Sequence, residues 1–309
     1  MSVARFARFG SAAVLVGALA TVVLADPPVS RTPHEPLSLS QAPEPAPADK
    51  SAPAHNGEMT ANAPESESHS GYREVSDFFN IREANPQVDK GEFEFELEGR
   101  WFTRSLHERD ELGLAQTLKY GFTDDFFVEL EVVEPRLGDG GNQGTGDINL
   151  VFFNRFLRED GTWPAIGGQV ELRLPSGDGS SGVDATFSAI VTKSITDRLR
   201  ANVEGQVETA NGAPGAEEED ERRHFQWAIG AGIDYLFDDQ TLGLLNYINR
   251  ASEEEGQHNN NILELGVVRE IYHVGNVHQH LKFAVDVGLD GQPETPNLGA
   301  KFQYSIDWK

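Results

Sequence analysis

The sequence predicts an all-β fold, an antiparallel up-and-down transmembrane β-barrel of about 12 strands preceded by a disordered tether. Three observations carry that expectation. From residue 92 to the C-terminus, segments of about ten residues alternate apolar and polar side chains, the period of a strand with one face in water and one face in hydrocarbon. Short turns alternate with longer glycine-rich or acidic connections. Aromatic residues collect near the ends of the alternating segments.

Residues 1–25 read as a signal peptide. Arg5 and Arg8 precede an apolar run from Ala12 to Leu24, and Val23-Leu24-Ala25 ends it before Asp26. The competing reading, a membrane anchor, is disfavoured because the run is shorter than the roughly 18 residues that span a bilayer. Residues 26–70 are rich in Pro, Ala, Ser and Glu and nearly devoid of large apolar side chains, so they are expected to form a disordered periplasmic tether. In residues 71–91, Val75, Phe78, Phe79 and Ile81 precede Pro86, which predicts one or two helical turns in a short packing segment or, alternatively, a lumen plug. The barrel itself is expected over 92–309.

The strands follow in order. Phe93, Phe95, Leu97 and Trp101 oppose Glu92, Glu94, Glu96, Glu98 and Arg100. Leu112, Leu114, Leu118 and Tyr120 oppose Gly113, Ala115, Thr117 and Lys119, and Val128, Leu130 and Val132 oppose Glu129 and Glu131. The hairpin from Gly144 to Gly177 sets Ile148, Leu150, Phe152 and Phe156 against Asp147, Asn149 and Arg155, then Ile166, Val170, Leu172 and Leu174 against Gln169, Glu171 and Arg173. Phe187, Ala189, Val191 and Ile195 oppose Thr186, Ser188, Thr192 and Ser194, with Lys193 an exception on the apolar face. Leu199, Ala201, Val203 and Val207 oppose Arg200, Asn202, Glu204, Gln206 and Glu208. Phe225, Trp227, Ile229, Ile233 and Tyr235 oppose Gln226, Ala228, Gly230 and Asp234. The segment 241–249 is the least regular, and its facing is not readable. Leu263, Leu265 and Val267 are expected against Glu264 and Arg269, Phe283, Val285 and Val287 against Lys282, Ala284 and Asp286, and Phe302, Tyr304, Ile306 and Trp308 against Lys301, Gln303, Ser305 and Asp307.

Tight turns at Thr123–Asp125, Arg158–Thr162, Thr196–Arg198, Asp238–Gln240 and near Gly275 alternate with the long connections. A meander places all turns of one kind at one end, as in barrels with short periplasmic turns and longer external loops. Tyr120, Phe122, Phe126, Trp163, Tyr235, Phe237, Tyr272, Tyr304 and Trp308 fall at the short-turn end, where an interfacial girdle belongs.

The formal net charge of −25 argues against a nucleic-acid partner and offers no basic patch for anionic lipid. No cysteine is present, so neither a disulfide framework nor thiol lipidation is available. The Gly144-x-Gly146-Asp147-Ile148 segment, followed by a turn and a strand ending Leu174-Pro175-Ser176-Gly177, resembles the outer-membrane transporter family named after the meta pathway of phenol degradation. The resemblance covers roughly residues 92–309. It implies an outer-membrane barrel for uptake of small, often aromatic or hydrophobic, compounds. It supplies no site residues, and the proline-rich stretch before Gly71 and Lys309 after Trp308 depart from the family's usual pattern.

No enzyme signature is present: there is no G-x-S-x-G, and the serines and histidines are scattered. No cofactor and no metal is expected. His278 and His280 share a strand face, yet no third ligand lies near them in sequence; the runs 217–220 and 253–255 read as solvated acidic loops. Lumen and selectivity candidates are therefore Glu94, Glu96, Glu98, Arg100, Lys119, Glu129, Glu131, Arg155, Glu171, Arg173, Arg200 and Glu204. The expected activity is passive transport of small-molecule solutes across the outer membrane of a Gram-negative-type bacterium, with outer-membrane lipid and the barrel assembly machinery as further partners. A closed structural or surface-interaction barrel is the first alternative. A soluble exported ligand-binding barrel, with its apolar face turned inward, is the second.

Overall fold

The computed structural model describes residues 74–103, 111–132, 135–138, 144–177, 182–209, 223–252, 256–290 and 297–309. The expected signal peptide, the tether, and the acidic runs at 217–220 and 253–255 lie outside the described residues. Among the described residues fourteen antiparallel strands are formed: β1 Phe93–Thr103, β2 Glu111–Thr123, β3 Phe126–Val132, β4 Pro135–Gly138, β5 Gly144–Thr145, β6 Ile148–Leu157, β7 Ala165–Leu174, β8 Asp184–Ser194, β9 Leu199–Thr209, β10 Phe225–Asp238, β11 Thr241–Arg250, β12 Asn260–Val274, β13 Val277–Gly288 and β14 Leu298–Trp308. The short strands β4 and β5 prolong the β3–β6 hairpin, with β4 pairing to β2 just beyond the reach of β3. The remaining twelve are the staves of a closed barrel, because β1 pairs with β2 on one side and β14 on the other. Closure gives each of these twelve staves a neighbour on both sides. At the seam Phe93 lies opposite both Tyr120 and Trp308, with ring centroids 4.6 and 5.8 Å apart.

The two faces have the polarity of a lipid-embedded barrel. Phe93, Leu97, Leu114, Leu118, Leu130, Phe187, Ile233, Leu265, Phe283 and Phe302 are exposed on the outside, whereas Glu94, Glu96, Lys119, Glu129, Asn202, Glu264, Lys282 and Lys301 are buried inside. A water-soluble barrel would show the reverse order. Among the described residues no helix is long and apolar enough to cross a membrane.

All tight turns fall at one end. Gly275, at φ 62°, lets β12 reverse into β13 within two residues, pairing Val274 with Val277. Exposed Phe122, Trp163, Phe237, Tyr272 and Trp308 ring that end. Lys193, the exception on an apolar face, has its ammonium at this rim, 2.8 Å from Glu159 Oε1, which also accepts from Ser194 N at 3.0 Å. Arg269, expected beside Glu264 on the charged face, is exposed on the outer face instead. It shares the parity of Val267 and sits near the rim, where it faces Thr241 and reaches Asp238 at 3.5 Å.

Residues 74–91 run inside the barrel rather than under it. They form bends and turns, not the helical turns that Val75, Phe78, Phe79 and Ile81 predict. The reason is the number of directions in which they pack. Val75, Phe78 and Phe79 meet Leu242, Leu244 and Val268; Ile81 meets Ala228 and Ile248; Ala84 and Val88 meet Phe127, Phe153, Ala165 and Ile190. One helix would confine these side chains to a stripe, while the barrel wall surrounds them. The irregular strand β11 is explained at once: on its inward face Leu242, Leu244 and Ile248 pack on this inner segment, and Asn246 between them donates to Glu264 Oε2 at 2.8 Å.

Candidate functional site

A non-helical chain buried in a barrel must find partners for its backbone donors. Lumen side chains supply them. Asn80 N donates to Glu264 Oε2 at 2.9 Å, Arg82 N to Glu204 Oε2 at 3.0 Å and Ala84 N to Thr192 Oγ1 at 2.8 Å. Asn80 Nδ2 donates to Asp286 Oδ1 at 2.8 Å, and the Val75 and Glu83 main chains close a local loop through Glu83 N to Val75 O at 2.9 Å. Part of the acidic lumen face is thus an acceptor array for the inner segment.

Charge fixes the segment further. Lys282 Nζ lies 2.6 Å from Glu74 Oε1 and 3.2 Å from Glu96 Oε1. Lys119 Nζ lies 2.9 Å from Glu96 Oε1, 3.5 Å from Glu94 Oε2 and 3.5 Å from Asp77 Oδ1. Both lysines are fully buried, so each depends on these carboxylates for its solvation. Arg200 bridges Glu83 at 2.6 Å and Asp234 at 2.9 Å. Arg82 hydrogen-bonds Gln169 and stacks its guanidinium 4.5 Å from the Phe153 ring centre. Arg155 holds Asn85 Oδ1 at 3.0 Å and Asp125 at 2.6 Å.

Beyond this packed half, toward the long-loop end, a cavity of about 590 Å³ is lined by eleven carboxylates and five cationic side chains. The twelve sequence candidates divide between the two halves. Glu96, Glu98, Arg100, Glu129, Glu131, Glu171, Arg173 and Glu204 line the cavity, whereas Glu94, Lys119, Arg155 and Arg200 do not and lie among or against residues of the inner segment. Within the cavity wall Arg100 pairs with Glu98 and Arg173 with Asp184. Lys301 pairs with Glu264 and stands 3.6 Å from Asp286.

Sequence reasoning missed Glu74, Asp77, Arg82 and Glu83 as partners of the wall, and it left Lys282, Lys301, Asp234, Glu264 and Asp286 out of the lumen candidates although it set them on the charged faces, where the structure has them buried inside. The wall residues lie on the charged faces by alternation and were legible in principle. The inner-segment charges gave a weaker signal, namely acids and an arginine interleaved with Val75, Phe78, Phe79 and Ile81 in a stretch with no room for a second face.

Solved structures with a similar fold include an outer membrane channel from Pseudomonas putida F1, at 11% identity with a TM-score of 0.54, covering 73% of this chain and 98% of that one. The NanC porin aligns at 8% identity with a TM-score of 0.46, over 69% and 99% of the two chains. The first likeness supports the closed barrel as a fold. No known family profile matches the chain, and no curated protein matches it in sequence.

Proposed function

We propose that this chain is an outer-membrane channel whose lumen is filled at the short-turn, periplasmic half by its own residues 74–91, and whose acidic outer cavity admits small cationic or neutral polar solutes. The carrying observation is the division of one lumen into a packed half and a cavity whose lining carries eleven carboxylates against five cations. Such an excess lowers the energy of a cation and raises that of an anion in the passage. The barrel shared with the Pseudomonas putida channel is consistent with this reading. The resemblance of Gly144 to Gly177 to the phenol-pathway transporters points toward aromatic or hydrophobic compounds, whereas the polar lining of the cavity favours polar ones. Export would use residues 1–25 as the signal peptide, with residues 26–70 as a tether leading to the inner segment.

One observation favours the alternative of a closed structural barrel: the inner segment is held by buried ion pairs as well as apolar packing. Planar-bilayer recording separates the two. The full chain is expected to give small or intermittent currents, and a variant lacking residues 74–90 a larger, cation-selective conductance. Silence from both proteins, each shown to be folded and inserted, would leave the structural barrel as the reading.

A further inference from the structure

The β12–β13 hairpin gathers a second cluster that the transport reading does not use. The tight turn at Gly275 sets His273 directly opposite His278, and Glu270 opposite His280. The register of β12 slips between Glu270 and Tyr272. Without that bulge His273 would share the outer parity of Arg269 and Ile271; the extra residue re-aims it to the face of Glu270. The His273 ring lies 3.9 Å from that of His278, and its Nδ1 is 3.6 Å from Glu270 Oε1. His278 Nδ1 reaches the same carboxylate oxygen at 2.9 Å. One ligand atom from each of Glu270, His278 and His280 lies within 4.8 Å of the others.

The fully buried His280 is oriented from β14, where Asp307 Oδ1 is 3.3 Å and Ser305 Oγ 3.4 Å from its Nδ1. A carboxylate on one ring nitrogen is the arrangement that presents the other to a metal and raises its basicity. Tetrahedral zinc with bonds of about 2.0–2.2 Å sets its ligand atoms roughly 3.4 Å apart, so closing this cluster takes side-chain shifts on the order of 1 Å. Two imidazoles and a carboxylate suit zinc-like ions, whereas calcium and magnesium prefer all-oxygen sites. The other carboxylate cluster, Glu74, Glu94 and Glu96, is already occupied by the ammonium groups of Lys119 and Lys282 and offers a cation no comparable site.

We propose that Glu270, His278 and His280, with His273 as fourth ligand, form a binding site for a zinc-like divalent ion at the short-turn mouth of the barrel. The full chain, folded in detergent and stripped with chelator, is titrated with Zn²⁺ alone by calorimetry. One ion per chain is expected. His278→Asn and Glu270→Gln each weaken binding by at least about tenfold, while His258→Asn, at an exposed position outside the cluster, leaves it unchanged. Because His280 is fully buried, the test rests on these two variants, each checked for heat-modifiable migration. Co²⁺ loading adds a second readout, the intense visible absorption of a four-coordinate centre, which His278→Asn should abolish. Absence of saturable Zn²⁺ binding, or equal binding by the wild type and His278→Asn, overturns the site.

Discussion

Lys282 Nζ on β13 lies 2.6 Å from Glu74 Oε1, joining residues 208 positions apart inside the barrel. The same ammonium is 3.1 Å from Ser76 Oγ and 3.2 Å from Glu96 Oε1, so one wall lysine ties the start of the inner segment to β1. Removing one member of a buried ion pair leaves uncompensated charge and costs about 3–5 kcal/mol. Since the twelve-stave ladder does not depend on Lys282, that cost falls on docking of the segment. Lys282→Met is therefore expected to expose residues 74–91 to limited proteolysis while heat-modifiable migration of the barrel persists. Equal protection in the variant and the wild type would show that the segment docks without Lys282.

The opposite end of the segment is tied by backbone. Gly91 N donates to Gly121 O at 2.7 Å and Gly121 N to Glu92 O at 3.0 Å. A Cβ on Gly121 would overlap the Asp89 carbonyl, a backbone group that cannot swing aside. Gly121→Ala should cost roughly 1–3 kcal/mol, the usual range for overpacking. Gly205→Ala, at a position where a Cβ meets nothing within 4 Å, is the control. Denaturant titration of segment protection should shift for the first substitution and not the second.

Strand order and facing were legible because lipid and lumen impose opposite polarity on alternate residues, and Glu94, Leu97, Leu130 and Lys119 obey that rule. The rule failed at β11, where Leu242, Leu244 and Ile248 face a segment instead of water. Placement of the segment was illegible because its partners Glu204, Glu264 and Lys282 lie more than a hundred residues away. For the same reason alternation put Lys119 and Glu171 on one face without revealing that the first packs against the segment and the second lines the cavity. The third ligand for His278 was hidden by a strand pairing and a bulge, neither of which has a period.

Asp125, in the turn between β2 and β3, accepts from Arg158 Nε at 3.1 Å and from Arg155 Nε at 2.8 Å. Hydrogen bonding from Arg158, followed by that from Arg155, holds its carboxyl below the ordinary aspartate range. A depressed folded value contributes stability that is present above the unfolded pKa and lost as pH falls through the folded one. Solvent screening keeps the effect under about 1 kcal/mol, since the side chain is partly exposed. Asp125→Asn should thus lower stability slightly at neutral pH and reduce the acid-dependent loss below about pH 4. Parallel pH profiles for the variant and the wild type would remove Asp125 from the acid response.

Leu130, exposed on the outer face of β3 between buried Glu129 and cavity-lining Glu131, tests which side meets lipid. A lysine facing lipid near the midplane costs about 2–4 kcal/mol. Leu130→Lys should impair insertion into vesicles, scored by heat-modifiable migration. Leu130→Phe should insert normally. Unimpaired insertion of the lysine variant would mean that this face does not meet hydrocarbon.

Glu171 is the cleaner probe of selectivity among the sequence candidates. Glu96 sits between Lys119 and Lys282, so reversing its charge would place a third cation in a packed cluster and disturb the segment as well as the lumen. Glu171 lines the cavity on β7, opposite Thr186 and Val151 in the neighbouring strands, away from that cluster. The variant lacking residues 74–90 loses Asp77 and Arg82 from the lining and keeps ten carboxylates and four cations on the wall, and Glu171→Arg introduced into it moves that lining toward balance. The cation-to-anion permeability ratio, read from the reversal potential under a salt gradient, should fall roughly twofold or more, because a pore selects charge through its lining field. Conductance at symmetric salt should change far less, since the cavity keeps its width. An unchanged reversal potential would place the selective constriction elsewhere in the lumen.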